Sequence, residues 1–353
     1  MNPSSTKSLP ALDGLRGLAV LVVLLSHLAN AGLPVLPGLS LSGTGKSGVY
    51  LFFVLSAYLL TRQLLARPAA AWRAPATWLD YALRRVLRIW PLYLVVLLGS
   101  AALTASGLAP WWPYPMPPDA LLRHVLLQEG VSVLWSIPPE FHYYLWLPLV
   151  ALAFGLADRF GGLWAALALG VAAGALALWL WPPATAEVND VRLGPYLTLF
   201  LAGALAAVLS RRWSARPPAP RWFALLGAAS LLALLATVPA VAAALGVVPF
   251  TADLNHRWFV FFALAWSGLL LALVHGGALL RRPFEWAPMR ALGWVSFSAY
   301  LWHMPVLAAV TGPLGLRGGM ALLVFTLATA LVSWASWRAL ERPLQGVRWR
   351  PRR

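Results

Sequence analysis

An arginine and a histidine stand eleven residues apart in the apolar run LDGLRGLAVLVVLLSHL, residues 12–28. At about 100° per residue, eleven steps make roughly three turns plus 20°. Arg16 and His27 therefore share one helix face, about 16 Å apart along the axis. An arginine is a permanent cation whose fork of N–H donors suits phosphates and carboxylates. A histidine titrates near neutrality and can take or return a proton. Asp13, three residues before Arg16, is in reach as its neutralising partner. Ionisable groups are expensive in a membrane helix and usually mark function. The plainer alternative has Arg16 snorkelling to the headgroups and His27 satisfied between helices.

Other residues of this kind are scattered along the chain. Arg84, Arg85 and Arg88 in YALRRVLRIWPLYLVV precede an apolar run. They serve as an orientation signal, as a phosphate site, or as both. LWSIPPEFHYYLWLPLV holds Glu140 and His142 after two prolines that favour an extended entry into a helix. Glu140 could orient a histidine, hold a donor hydroxyl, or simply be a helix N-terminal acid. Ser56 and Ala57 are small residues in a bulky run, which lets helices approach closely. A catalytic serine at 56 needs a paired base, and none is evident in the sequence. His303 is followed by Pro305, and Glu341 stands beside Arg342. With no cysteine in the chain, disulfides, thiolate metal sites and a cysteine nucleophile are excluded, and no metal is expected.

The elements that must position these residues are membrane helices. The 353 residues are 60% hydrophobic and only 11% charged, with a mean hydropathy of +0.73. A soluble domain carries about 25% charged residues. The net charge of +16 is gathered between apolar runs, which points to a membrane surface and away from nucleic acid. Ten runs read as spans: 11–33, 46–66, 79–105, 141–157, 162–181, 193–210, 221–246, 256–276, 290–310 and 317–339. With a cytoplasmic N-terminus, only Lys46, Arg123, Arg192, Arg257 and Arg317 of the 27 lysines and arginines fall outside. The expected fold is an all-α polytopic bundle with both termini cytoplasmic. A membrane domain covers 1–345 and a basic tail 346–353, with no soluble domain appended. The N-terminal segment is too short and polar for a signal peptide. One long connection, 106–139, lies outside. Its Trp111, Trp112 and Tyr114 suit an interfacial belt or a functional loop.

Taken in order, LDGLRGLAVLVVLLSHL, GVYLFFVLSAYLL, RRVLRIWPLYL, WSIPPEFHYYLWLPL, FSAYLWHMPVL and ERPL resemble the acyltransferase type 3 family of integral membrane acyltransferases. The likeness runs from residue 12 to 344. It implies acyl transfer from a cytoplasmic acyl-CoA, usually acetyl-CoA, to a hydroxyl, often in O-acetylation of cell-envelope glycans. It makes Arg16 and His27 the essential pair and carries Arg88 and Glu140 over from their own segments. It also implies a bacterial-type cytoplasmic membrane. Two departures stand out: Ser56-Ala57 where the family usually has Ser-Gly, and Pro138-Pro139-Glu140-Phe141-His142 where many members have a Glu pair followed by Gln. Larger members append an esterase-like domain; without one, a small or lipid-linked acceptor is favoured.

On that resemblance His27 is the expected general base. Glu140 or Asp13 is its orienting acid, and Ser56 and His303 are supporting residues. Arg16, with Arg84, Arg85 and Arg88, holds the CoA phosphates. An acyl-histidine intermediate is an alternative route. The acceptor is a glycan, a lipid-linked sugar or another small molecule. The competing class is a multi-spanning transporter or flippase with a buried ionisable pathway.

Overall fold

A computed structural model describes residues 10–33, 35–36, 38–246 and 257–348; residues 349–353 of the basic tail lie outside it. Every regular element among the described residues is helical. The main helices are α1 (Pro10–Asn30), α2 (Gly45–Leu65), α3 (Pro75–Ser106), α4 (Pro118–Val125), α5 (Ile137–Leu180), α6 (Leu197–Ala215), α7 (Pro220–Ala236), α8 (Phe259–His275), α9 (Ala278–Glu285), α10 (Ala287–Trp294), α11 (Ser296–Thr311) and α12 (Gly318–Ser336). Prolines in the first turn open α3, α4, α5, α7 and α10, where the missing N–H costs nothing. Gly107, at φ 65°, closes α3 in the left-handed conformation.

Among the described residues, six helical segments are long and apolar enough to cross a membrane, or seven if the pair α8 and α9, bent by 105°, counts as one. The ten expected runs all contain helix, but several are cut short. α7 has 17 residues because Pro239 starts a separate short helix after it. α8 also has 17 residues and α11 has 16, against about 20 for a straight span. The fourth and fifth runs are two arms of α5. Gly162 breaks the helix with φ 71° and ψ −165°. The Phe154 ring lies 3.6 Å from where a Cβ on Gly170 would sit. Sixteen residues of straight helix would part those positions by about 24 Å, so the arms fold back on each other. Asp158, before the break, accepts hydrogen bonds from Arg211 and Arg212 and fastens this hairpin to α6.

α1 is the hub. It packs against α2, α9, α10 and α11, and its glycines set the distances. A Cβ on Gly14 would fall 1.8 Å from the Phe284 carbonyl oxygen, and one on Gly17 would fall 2.1 Å from that of Met289. The glycines of LDGLRG thus let α9 and α10 lie backbone to backbone on the helix that carries Arg16 and His27. Ala57 meets the same need from the other side: a Cβ on Gly203 of α6 would come within 2.9 Å of the Ala57 Cβ.

Candidate active site

Arg16 and His27 open into different cavities. Arg16 lines one of about 350 Å³, called inner after the side that the basic residues predict, with Asp13, Ser56, Arg85, Arg88 and Glu140. His27 lines an outer one of about 260 Å³ with Asn30, Lys46, Trp135 and Asn189. Val49 and Tyr300 line both and form the wall between them. The Tyr300 hydroxyl donates to the Val133 carbonyl (2.6 Å) and accepts from Ser136 Oγ (2.9 Å). It is held between a residue of the outer cavity and one of the inner.

The inner cavity is built from arginines in different electrical states. Arg88 donates to the buried Glu341 carboxylate at 2.5 Å, and Ser298 Oγ donates to its other oxygen. Arg16 meets Asp13 only at 3.7 Å and is partly exposed. Arg85 has no ion pair among the described residues. Its guanidinium lies over the rings of Tyr144 (5.6 Å) and Tyr81 (5.9 Å). Opposite these cations, Ser56 Oγ (2.9 Å) and the Tyr144 hydroxyl (2.6 Å) both donate to Glu140 Oε1.

At His27 and the neighbouring His303 the tautomers follow from the acceptors around the two rings. His303 is fully buried, and its Nδ1 lies 2.8 Å from the Tyr300 carbonyl and 3.1 Å from that of Ala299. Carbonyls only accept, so the His303 proton is on Nδ1 and its Nε2 is bare. That Nε2 is 3.2 Å from His27 Nδ1, which also lies 3.0 Å from the Val23 carbonyl. His27 therefore carries its proton on Nδ1, and its Nε2 holds the lone pair. At the rim, burial alone would raise the Asp190 carboxyl. Hydrogen bonds from the Arg192 side chain and backbone N–H outweigh it and hold the carboxyl below the usual range.

Residues 9–338 match the family model described as an acyltransferase domain, Acyl_transf_3. The chain belongs to the acyltransferase 3 family. Its relatives include the peptidoglycan O-acetyltransferase OatA of Listeria monocytogenes, 25% identical over 97% of this chain and 56% of the relative. Another is the O-acetyltransferase OatA of Staphylococcus aureus strain NCTC 8325, 26% identical over 97% of this chain and 58% of the relative. The chain thus spans a little over half the length of these relatives. No solved structure matches it.

Within this fold, the residues singled out in sequence divide by place. Asp13, Arg16, Ser56, Arg85, Arg88 and Glu140 meet in the inner cavity. Arg84 does not line it and pairs instead with Asp80 at 2.8 Å. Glu140, expected to orient a histidine, has Ser56 and Tyr144 as its hydrogen-bond partners. His303 is the residue that touches His27. Asp13 pairs with Arg16 and accepts from Trp294 Nε1 at 3.4 Å. Sequence reasoning missed Tyr144, Tyr300 and Lys46, and it gave the buried Glu341 no role. Tyr144 had a signal, since it lies one helical turn after Glu140. Tyr300 comes just before His303, but its place between two cavities depends on packing with residues more than 160 positions away.

Proposed function

We propose that this acyltransferase moves an acyl group, usually acetyl, from a CoA thioester in the inner cavity to a hydroxyl presented in the outer cavity. One observation carries the reading: a single helix face delivers a cation to one cavity and a basic imidazole nitrogen to the other, with a wall of two side chains between them. The positive-inside pattern supports a ten-span bundle in a cytoplasmic membrane, with the Arg16 side facing the cytoplasm. In this reading the acyl-pantetheine arm enters the inner cavity. The phosphates then rest at its mouth, where Arg85 and Arg16 are the least neutralised cations. Names of relatives that specify peptidoglycan support an envelope glycan as acceptor.

The proposed step balances as follows. His27 Nε2 takes the acceptor's hydroxyl proton while the oxygen attacks the thioester carbon. The C–S bond then breaks, CoA leaves as thiolate, and that thiolate is protonated as His27 gives up its proton. His303 is a positioning residue: it holds the His27 Nδ1–H and so keeps Nε2 basic. The same Nε2 could instead attack the thioester and form an acyl-histidine.

The test is radiolabelled acetyl transfer from acetyl-CoA by the purified chain in liposomes, with envelope glycans as acceptor and the product identified by mass. His27→Ala is expected to lower transfer by about 10²- to 10⁴-fold at normal protein abundance. Full activity in that variant would remove His27 from the mechanism. Failure of the wild-type protein to bind or turn over any acyl-CoA would remove the function.

A further inference from the structure

Three elements pass from one cavity to the other. In α2, Gly45 lines the outer cavity, Phe52, Phe53 and Ser56 line the inner one, and Val49 lines both. In α11, Phe297 lines the inner cavity and Tyr300 lines both. In the 3₁₀ turn Ser132–Ser136, Trp135 lines the outer cavity and Ser136 the inner. The three changeovers lie together. Ser136 Oγ donates to the Tyr300 hydroxyl at 2.9 Å, and the Phe52 ring meets the Tyr300 ring edge-on with centroids 6.4 Å apart. Along α2 the inner lining starts apolar, at Val49, Phe52 and Phe53. Its polar groups come later, at Ser56 and at Gln63, about 21 Å from Val49 at 1.5 Å per residue.

This apolar layer is stiff. The Tyr300 hydroxyl is tied on two sides, to the Val133 carbonyl and to Ser136 Oγ. The Phe53 ring stacks on Phe200 at 4.7 Å and meets the Trp135 ring edge-on at 6.3 Å. Val49 is β-branched, which leaves one preferred rotamer in a helix. The backbone beneath it is fixed too. A Cβ on Gly48 would fall 2.4 Å from the Ala19 carbonyl oxygen, so α2 lies directly on α1 at this point. Val49, Phe53 and Tyr300 are all buried.

From this arrangement we infer that Val49 and Tyr300 set the size of the acyl group: they are specificity-determining residues that admit acetyl and turn away butyryl and longer chains. The inference rests on the acyl-transfer reading and deepens it. For a hydroxyl at His27 to reach a thioester carbonyl that enters from the inner cavity, that carbonyl has to stand where the two cavities share lining. Its alkyl substituent then packs in the layer of Val49, Phe52 and Tyr300. Each further methylene must find room among side chains held in single positions, and overfilling a tight apolar site is penalised. One methylene in such a pocket changes selectivity by about 10- to 200-fold. The CoA phosphates and the pantetheine arm are common to every acyl-CoA, so discrimination between donors arises in this layer.

The experiment compares acetyl-, propionyl-, butyryl- and hexanoyl-CoA as donors for the full chain in liposomes, with envelope glycans as acceptor. It reads kcat/KM from release of the CoA thiol and identifies the product by mass. In the wild-type protein kcat/KM is expected to fall about ten-fold or more from acetyl to butyryl. Val49→Ala removes two methyl groups from the layer and should raise the butyryl-to-acetyl ratio about ten-fold. Tyr300→Phe keeps the ring but frees it from Val133 and Ser136, and should raise the same ratio. Val49→Ile adds one carbon and should lower the propionyl-to-acetyl ratio; it carries the test at this position should Val49→Ala fail to fold. Leu59→Ala, ten residues along α2 in the inner lining, should leave both ratios as they are. A general loosening of the bundle lowers kcat/KM for all donors together and moves neither ratio. Equal use of acetyl- and butyryl-CoA by the wild-type protein, no change of ratio at either Val49 or Tyr300, or an equal change in Leu59→Ala overturns the inference. Turnover of every donor alike would leave acyl transfer standing while the inference fell. Absence of binding and turnover for all four donors would remove the acyl-transfer reading itself, and the inference with it.

Discussion

His303 and the Val23 carbonyl together decide which nitrogen of His27 can act. The proton of His303 is committed to backbone carbonyls, so that ring can only accept from His27 Nδ1, and the base is left on His27 Nε2. Replacing His303 with alanine leaves the Val23 carbonyl as the remaining acceptor for the Nδ1 proton and loosens the His27 ring. His303→Ala is expected to lower kcat about 10- to 100-fold, the usual effect of losing a histidine's orienting partner, with the KM for acetyl-CoA unchanged. His303→Gln, whose amide oxygen can accept the same proton, should recover part of the loss. Equal losses in both variants, or a change in KM alone, would mean that His303 only fills space. At this scale the sequence exposed the residue types but not their pairings. His303 was visible as a histidine inside an apolar run, while its partner lies 276 positions away. Ser56 was visible without a base, and Glu140 stands 84 positions on. Residues that meet across a bundle have no spacing to betray them; Arg16 and His27 had one because a single helix carries both.

Helices reach these positions through close crossings, and the glycines of α1 set them. A Cβ on Gly14 would run into a backbone carbonyl, which no side-chain rotation relieves. Gly14→Val is therefore expected to stop the chain accumulating as a single species in detergent, read by size-exclusion chromatography of a fluorescent fusion. Gly99→Ala is the contrast: a Cβ there meets nothing within 4 Å, and helix propensity favours alanine by about 1 kcal/mol. That variant should elute as the wild type does. Most helices were legible from apolar runs, including the pair joined at Gly162. Their ends were less so, because Pro239 divides a run that stays apolar on both sides, and hydropathy does not register a lost backbone donor. Glu341 shows the same limit. It closes a chain-terminal motif in sequence, yet in the fold it fastens α3 and α11 through Arg88 and Ser298.

For the whole molecule, the two cavities imply sidedness. In proteoliposomes of uniform orientation, acetyl-CoA is expected to support transfer only from the side bearing the Arg16 cavity, and acceptor only from the side bearing the His27 cavity. Transfer with both substrates confined to one side would show that the wall between the cavities is not the place of reaction. Composition was enough for membrane-capable helices, and the direction proposed here rests on the positive-inside pattern. The division into two cavities was not legible, since it depends on how Val49 and Tyr300, which line both, are brought together by the fold. That wall also has an electrical meaning. With water in both cavities, most of the membrane potential falls across the protein that parts them. A neutral acyl group crosses that drop without electrical work. Its chemistry does not, because the acceptor loses a proton on one side and the thiolate gains one on the other. Each turnover of the proposed reaction therefore either draws a proton through the wall or separates a charge across the membrane, at about 2.3 kcal/mol per 100 mV. Acetylation of this kind would be set by the energised state of the membrane as well as by the supply of acetyl-CoA.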